Sequence, residues 1–253
     1  MREKAYIHFL GTGAALSDPH RTTTMLAFTS GESALLVDAG GDVVQRMLAA
    51  GIPTEYLRAL VLTHEHPDHV SGFPLFMEKM WLAGRAEPID LYGIKPALEQ
   101  AARTLASFDT SGWEGFPVTR EHEVTPVRGA TVYEDRDWLV TAAPGDHGVP
   151  VIALRVEHRK TGRSVAYSCD TARSREIVHL ARGADILVHE ATGAFPGHST
   201  AADAAAVAAE AGVRRLYLVH LPPESQLGEN DMSRARAVFP RTEKAGELSR
   251  VEI

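Results

Sequence analysis

One cysteine, Cys169, stands among 253 residues. An internal disulfide is thereby excluded, and a lone thiol fits a reducing compartment, so a cytoplasmic location is expected. Apolar residues never run on for the roughly 18–20 positions that a membrane-spanning helix needs, and no membrane partner is expected. The opening "MREKAYIHFLGTG" has no apolar stretch before polar residues return, which argues against a secretory leader. Positive charge is also in short supply: 26 Lys and Arg against 33 Asp and Glu leave a formal net charge of −7. That balance lacks the basic footprint of proteins that grip nucleic acid non-specifically, although a local basic rim would still admit RNA. No low-complexity linker or charge block interrupts the chain, so a single domain over residues 1–253 is expected. At 44% hydrophobic and 23% charged residues, the composition supports a sizeable core.

What the chain does have is a pattern of strands and helices that runs through twice. "AYIHFLG" reads as a strand entering a Gly-Thr-Gly turn, and "TTTMLAFTS" with "SALLVDAG" as a hairpin about "GE". "DVVQRMLAAG" has helical spacing and a glycine stop. "LRALVLT" is a buried strand, followed by a helix bent or started at Gly72-Phe73-Pro74. "IDLYG" and "PALEQAARTLASF" add a strand and a helix, and Trp113 to Leu154 is rich in strands and turns. Then come strand "SVAYSCD", helix "SREIVHLARG", strand "ADILVHE", Ala-rich helix "TAADAAAVAAEAG" and strand "RRLYLVH". Two sheets face to face with helices outside, a four-layer α/β sandwich of αββα order, is the packing this order predicts. The small-residue face of the Ala-rich helix is explained by close approach to a sheet and needs no chemistry.

Twelve histidines are present, and their placement matters more than their number. "LTHEHPDHVSG" packs His64, His66, Asp68 and His69 into six positions on the exit of a buried strand. Imidazole and carboxylate are ligands for zinc and other divalent first-row metals, and four on one turn can converge on a point. Candidate partners stand at the loop edges of other apolar strands: His147 before "VPVIALRV", Asp170 at the end of "SVAYSCD" and His220 at the end of "RRLYLVH". Polar groups buried at such edges without partners would cost free energy.

"THEHPDHVSG" resembles the H-x-H-x-D-H motif of the metallo-β-lactamase superfamily. "LGTGAAL", "CDT", "HEAT" and "HST" are similar to the ribonuclease Z branch and its phosphodiesterase relatives. The resemblance implies two divalent metal ions, with zinc the default and manganese or iron also suited. His64, His66 and His147 would hold one, Asp68, His69 and His220 the other, and Asp170 would bridge them. Asp68 would also orient the attacking water, and Glu190 with His198 would assist the leaving group. Cys169 and His189 read as packing residues. His8, His20, His122, His158 and His179 carry no partner pattern.

The substrate is narrowed by what the resemblance lacks. In short bacterial ribonucleases Z a flexible Gly-Pro-rich arm lies between the positions matching His147 and Asp170. Here only 22 residues separate them, filled by two strands about the turn "RKTG". In "SDPHRT", Arg21 is kept from the substrate loop P-x-K-x-R-N, but Ser17, Pro19 and Thr22 replace its proline, lysine and asparagine. The expectation is therefore a binuclear metal-dependent phosphodiesterase acting on a small-molecule phosphodiester. A ribonuclease Z that processes tRNA 3′ ends is the alternative, as is a lactone, ester or sulfate-ester hydrolase. His66, where di-iron redox relatives carry glutamate, disfavours oxygen chemistry, and the complete ligand set disfavours a non-catalytic scaffold. Residues 77–120, with Trp81, Phe108, Trp113 and Phe116, read as a cover over the site, a homodimer interface or ordinary core.

Overall fold

Hairpins come first and parallel strands follow, in each half of the chain. The computed structural model describes residues 4–253; the first three residues of the stretch read above for a leader lie outside them. The chain divides into two compact units. One holds the described residues up to Gly11, Thr23–Val124 and Glu247–Glu252, and the other Thr12–Thr22 and Thr125–Gly246.

In chain order the first unit contains β1 (Ala5–Gly11), β2 (Met25–Ser30), β3 (Ser33–Val37), α1 (Val43–Ala49) and β4 (Leu57–Leu62). Next come α2 (Pro67–Val70), α3 (Phe73–Leu82), β5 (Ile89–Gly93), α4 (Lys95–Leu105) and β6 (Thr119–Glu123). The second unit contains β7 (Ala130–Glu134), β8 (Trp138–Pro144), β9 (Ile152–His158), β10 (Arg163–Tyr167) and α5 (Arg175–Ala181). It continues with β11 (Ile186–Glu190), α6 (Ala201–Ala211), β12 (Arg215–Val219), α7 (Glu229–Val238) and β13 (Thr242–Lys244). β14 (Arg250–Glu252) returns to the first unit.

The first sheet has the order β14-β1-β2-β3-β4-β5-β6, antiparallel as far as β3 and parallel from β3 to β6. The second has the order β13-β12-β11-β10-β9-β8-β7, antiparallel from β7 to β10 and parallel from there on. Helices bridge the parallel strands, as right-handed crossovers require. This places the carboxyl ends of β3 and β4 in one unit, and of β10, β11 and β12 in the other, where open α/β sheets bind ligands.

Local signals explain the element ends. The Asp42 carboxylate accepts from Gln45 N at 3.0 Å and starts α1. Pro67 and Pro74 sit in the first turns of α2 and α3; α3 starts at Phe73, directly after Gly72, where the sequence placed a bend or a start, and the short α2 precedes it. A Thr200–Asp203 capping box opens α6, and Gly212 closes it in the left-handed region. Ala204, Ala205 and Ala208 are fully buried in a cluster with Leu187, Leu216 and Leu218, as the small-residue face predicted. The C-terminal elements α7, β13 and β14 lie beyond the elements read from the sequence. Among the described residues no helix is long and apolar enough to cross a membrane.

Candidate metal centre

The first unit carries His64, His66, Asp68 and His69 on the exit of β4. Two glycines let this loop lie against the 38–41 turn. A Cβ on Gly40 would fall inside the Asp68 carbonyl, and one on Gly72 inside the Gly41 carbonyl. Backbone bonds close the seam: Ala39 N donates to His69 O at 2.8 Å, and Gly72 N to Ala39 O at 2.8 Å. Asp38, directly after β3, has φ +64, a strained conformation for a non-glycine residue. Its buried carboxylate accepts from Thr63 N at 2.8 Å, from the Thr63 hydroxyl at 2.9 Å and from His69 Nδ1 at 2.8 Å. Having spent its proton on Asp38, the Thr63 oxygen accepts from His64 Nδ1 at 3.1 Å. Asp38 thus fixes two imidazoles, His69 directly and His64 through Thr63, with Nε2 of each as the candidate ligand atom. His64 Nε2 and His66 Nδ1 stand 3.1 Å apart. Two imidazole lone pairs tolerate that separation only with a proton or a metal cation against them. His69 Nε2 lies 3.5 Å from Asp68 Oδ2.

The second unit brings its residues together from four loops. His147 lies between β8 and β9, and its Nδ1 donates to Gly197 O at 2.9 Å. A Cβ on Gly197, which has φ +76, would approach that nitrogen to 2.9 Å. Asp170 comes three residues past the end of β10, after Cys169 at φ +50, so the strand stops earlier than its sequence suggested. His220 likewise stands one residue past β12, also at φ +50. Asp170 Oδ2 and His220 Nε2 are 3.4 Å apart. Ligand atoms of Asp170, His198 and His220 all lie within 4.8 Å of one another. The His198 and His220 rings stack at 5.7 Å and 10°, and His147 stands edge-on to His198 at 4.9 Å.

Behind them sits Glu190, fully buried at the end of β11. Its Oε1 accepts from His198 Nδ1 at 2.8 Å and from Thr171 N at 2.8 Å, and its Oε2 from Thr192 N at 3.1 Å. These bonds satisfy a carboxylate that burial would otherwise penalise. The expected Glu–His pair is therefore in hydrogen-bond contact, and its glutamate also holds the amide next to Asp170 and the amide of Thr192.

Several residues of these networks escaped the sequence reading. Asp38 left the clearest signal, an acid directly after the all-buried strand "SALLV". Thr63 and Thr192 left none beyond adjacency to the motifs. Arg21 is bound to Asp18 Oδ2 at 3.2 Å, Pro222 O at 3.3 Å and Glu224 Oε1 at 3.0 Å, tying its loop to the segment after His220. Trp81 and Trp113 stack at 5.0 Å with Phe116 beside both, so these rings of the 77–120 segment pack on each other while Phe108 is exposed. Between His147 and Asp170 the chain is the β9–β10 hairpin closed by residues 159–162, with no arm.

The family model for the beta-lactamase superfamily domain matches residues 34–221. The chain belongs to that superfamily. A ribonuclease Z of Methanothermobacter thermautotrophicus is 31% identical, covering 98% of this chain and 96% of that relative. Among solved structures, the metallo-β-lactamase fold protein YhfI from Bacillus subtilis matches with TM-score 0.84 at 22% identity, covering 99% of this chain and all of that one. Human tRNase Z, short form, matches with TM-score 0.79 at 22% identity, covering 97% and 98%. Both show the metallo-β-lactamase fold, the class expected from the sequence. The beta-lactamase superfamily assignment makes this chain a metal-dependent hydrolase. Its donor set agrees: His64, His69, His147 and His220 are each bonded through Nδ1 to an oxygen partner, and carboxylate oxygens lie 3.5 Å from His69 Nε2 and 3.4 Å from His220 Nε2.

Proposed function

We propose that the protein hydrolyses phosphodiester bonds in the manner of a ribonuclease Z, at a binuclear centre built within one catalytic domain. His64, His66 and His147 are assigned to one metal, Asp68, His69 and His220 to the other, and Asp170 to both. Zinc is the metal this imidazole-rich set favours. Divalent metal bound there would supply Lewis-acid polarisation and an activated water. Asp68 orients the water. As the phosphorus–oxygen bond to the leaving group breaks, His198 Nε2 delivers a proton to the departing oxygen, and Glu190 holds the ring and balances its charge. The observation that carries this reading is the Glu190–His198 bond of 2.8 Å, with His198 grouped with Asp170 and His220.

RNA is the leading substrate, because the relative matched over nearly the whole chain is a ribonuclease Z. That reverses the order expected from sequence alone. A small phosphodiester remains the second reading, on the observation that β9 and β10 are joined by residues 159–162 only. The alignment with the archaeal relative spans 301 positions against 253 residues here, so that relative holds sequence with no counterpart in this chain. The test is hydrolysis by metal-loaded protein of a 3′-extended tRNA precursor, a chromogenic phosphodiester, a cyclic nucleotide and a lactone. Cleavage of the precursor at the 3′ extension with a steep salt dependence supports the first reading. Turnover of the diesters alone selects the second. Lactone hydrolysis without phosphodiester cleavage overturns both.

A further inference from the structure

We infer that Thr192 is a positioning residue that sets the tautomer of His220 and joins it to the Glu190–His198 pair. The inference rests on the assignment of His220 as a metal ligand. Thr192 is the last residue of "HEAT", and neither proton transfer nor metal ligation uses it directly.

Its hydroxyl has two partners. Thr192 Oγ1 is 2.6 Å from His220 Nδ1 and 3.1 Å from His220 O. The carbonyl can only accept, so for both contacts to be hydrogen bonds the single hydroxyl proton must go to it. The hydroxyl oxygen then accepts from His220 Nδ1, which must carry the ring proton. Nε2 is left with its lone pair, on the side where Asp170 Oδ2 lies 3.4 Å away. One side chain therefore fixes both the imidazole tautomer and the backbone of a residue held at φ +50. The main chain of the same residue does separate work: Thr192 N donates to Glu190 Oε2 at 3.1 Å. Glu190 Oε1 in turn receives His198 Nδ1 and Thr171 N, the amide next to Asp170. Thr192 is thus the point at which the leaving-group pair and a ligand-bearing loop share one residue.

The two roles are separable by substitution. Thr192→Val keeps the β-branched shape and the amide bond to Glu190, and removes only the hydroxyl. Thr192→Ser keeps both. The experiment compares these variants with His220→Ala and the parent protein. Zinc affinity and stoichiometry are read by chelator competition, His220 ring nitrogens by 15N NMR on metal-free protein, and melting temperature on metal-free protein. Thr192→Val is expected to weaken one zinc equivalent by about 10–100-fold, to shift His220 from the Nδ1–H form to a mixture, and to melt near the parent. Thr192→Ser is expected to restore affinity and tautomer together. A Thr192→Val protein with parental zinc affinity and an Nδ1–H His220, while His220→Ala loses one zinc, overturns the role of Thr192 and leaves the ligand set standing. Two undiminished zinc equivalents in His220→Ala overturn the ligand assignment itself, and with it the inference. If Thr192→Val melts well below the parent, the NMR tautomer of the Thr192→Ser protein decides, since loss of Nδ1–H there contradicts the hydroxyl mechanism.

Discussion

The two units hold their candidate ligands in opposite ways. In the first, four candidates occupy six consecutive positions on one loop, and a single acid, Asp38, orients two of the imidazoles. In the second, His147, Asp170 and His220 come from three loops, each with its own anchor: Gly197 O, the Glu190-bound Thr171 amide, and Thr192. A concentrated site has one point of failure. A dispersed one fails piecewise, because each loop is held by different bonds.

The largest effect should come from Gly40→Ala. Its Cβ would lie inside the Asp68 carbonyl, so the whole ligand loop must move by about an ångström, a displacement that costs about a hundredfold or more in kcat/KM. Zinc content should fall with it; activity within threefold of the parent would break the comparison. Glu190→Gln should lower kcat about a hundredfold while both zinc equivalents persist, since its partners are His198 and two amides. Loss of zinc together with activity would show that the second unit is as concentrated as the first. Asp38→Asn should weaken zinc binding about 10–100-fold, sensed at His64 and His69 alike, and NMR of both rings checks whether one acid serves two ligands.

His8 provides a smaller contrast within the first unit, away from the ligand loop. Burial, with Arg250 nearby, lowers its pKa to about 4, against 6.5 in an unfolded chain. Between these values the unfolded chain binds more protons, so stability is complete above pH 6.5 and is lost as the pH falls toward 4. The loss is at most about 3 kcal/mol. His8→Gln should flatten urea-melt stability across that window and leave pH 8 nearly unchanged, keeping a side-chain partner for Thr29 Oγ1, now 2.9 Å from His8 Nε2. An unflattened profile would assign the acid sensitivity to the site histidines instead.

Most strands were legible because their apolar runs are short and end in turn residues. β1, β5 and the β2–β3 hairpin lie where the pattern puts them. Strand ends at the site were not legible. Cys169 and His220 leave the strand direction at φ +50, and no alternation pattern encodes a left-handed residue that is not glycine. The ligand candidates were visible because metal binding demands particular side chains. Thr63, Thr192 and Gly197 were not, because a hydroxyl or a glycine is common in any loop.

By itself the amino-acid sequence determined the donor chemistry, the repeated order of hairpin and parallel strands, and the missing arm. These depend on residue type and spacing along the chain. Only the tertiary structure decided which nitrogen of His64, His69, His147 and His220 is left for a ligand. That choice belongs to partners such as Asp38, 31 positions from His69, and Thr192, 28 positions from His220. Folding brings them within a hydrogen bond, and one proton on one side of the ring settles the matter.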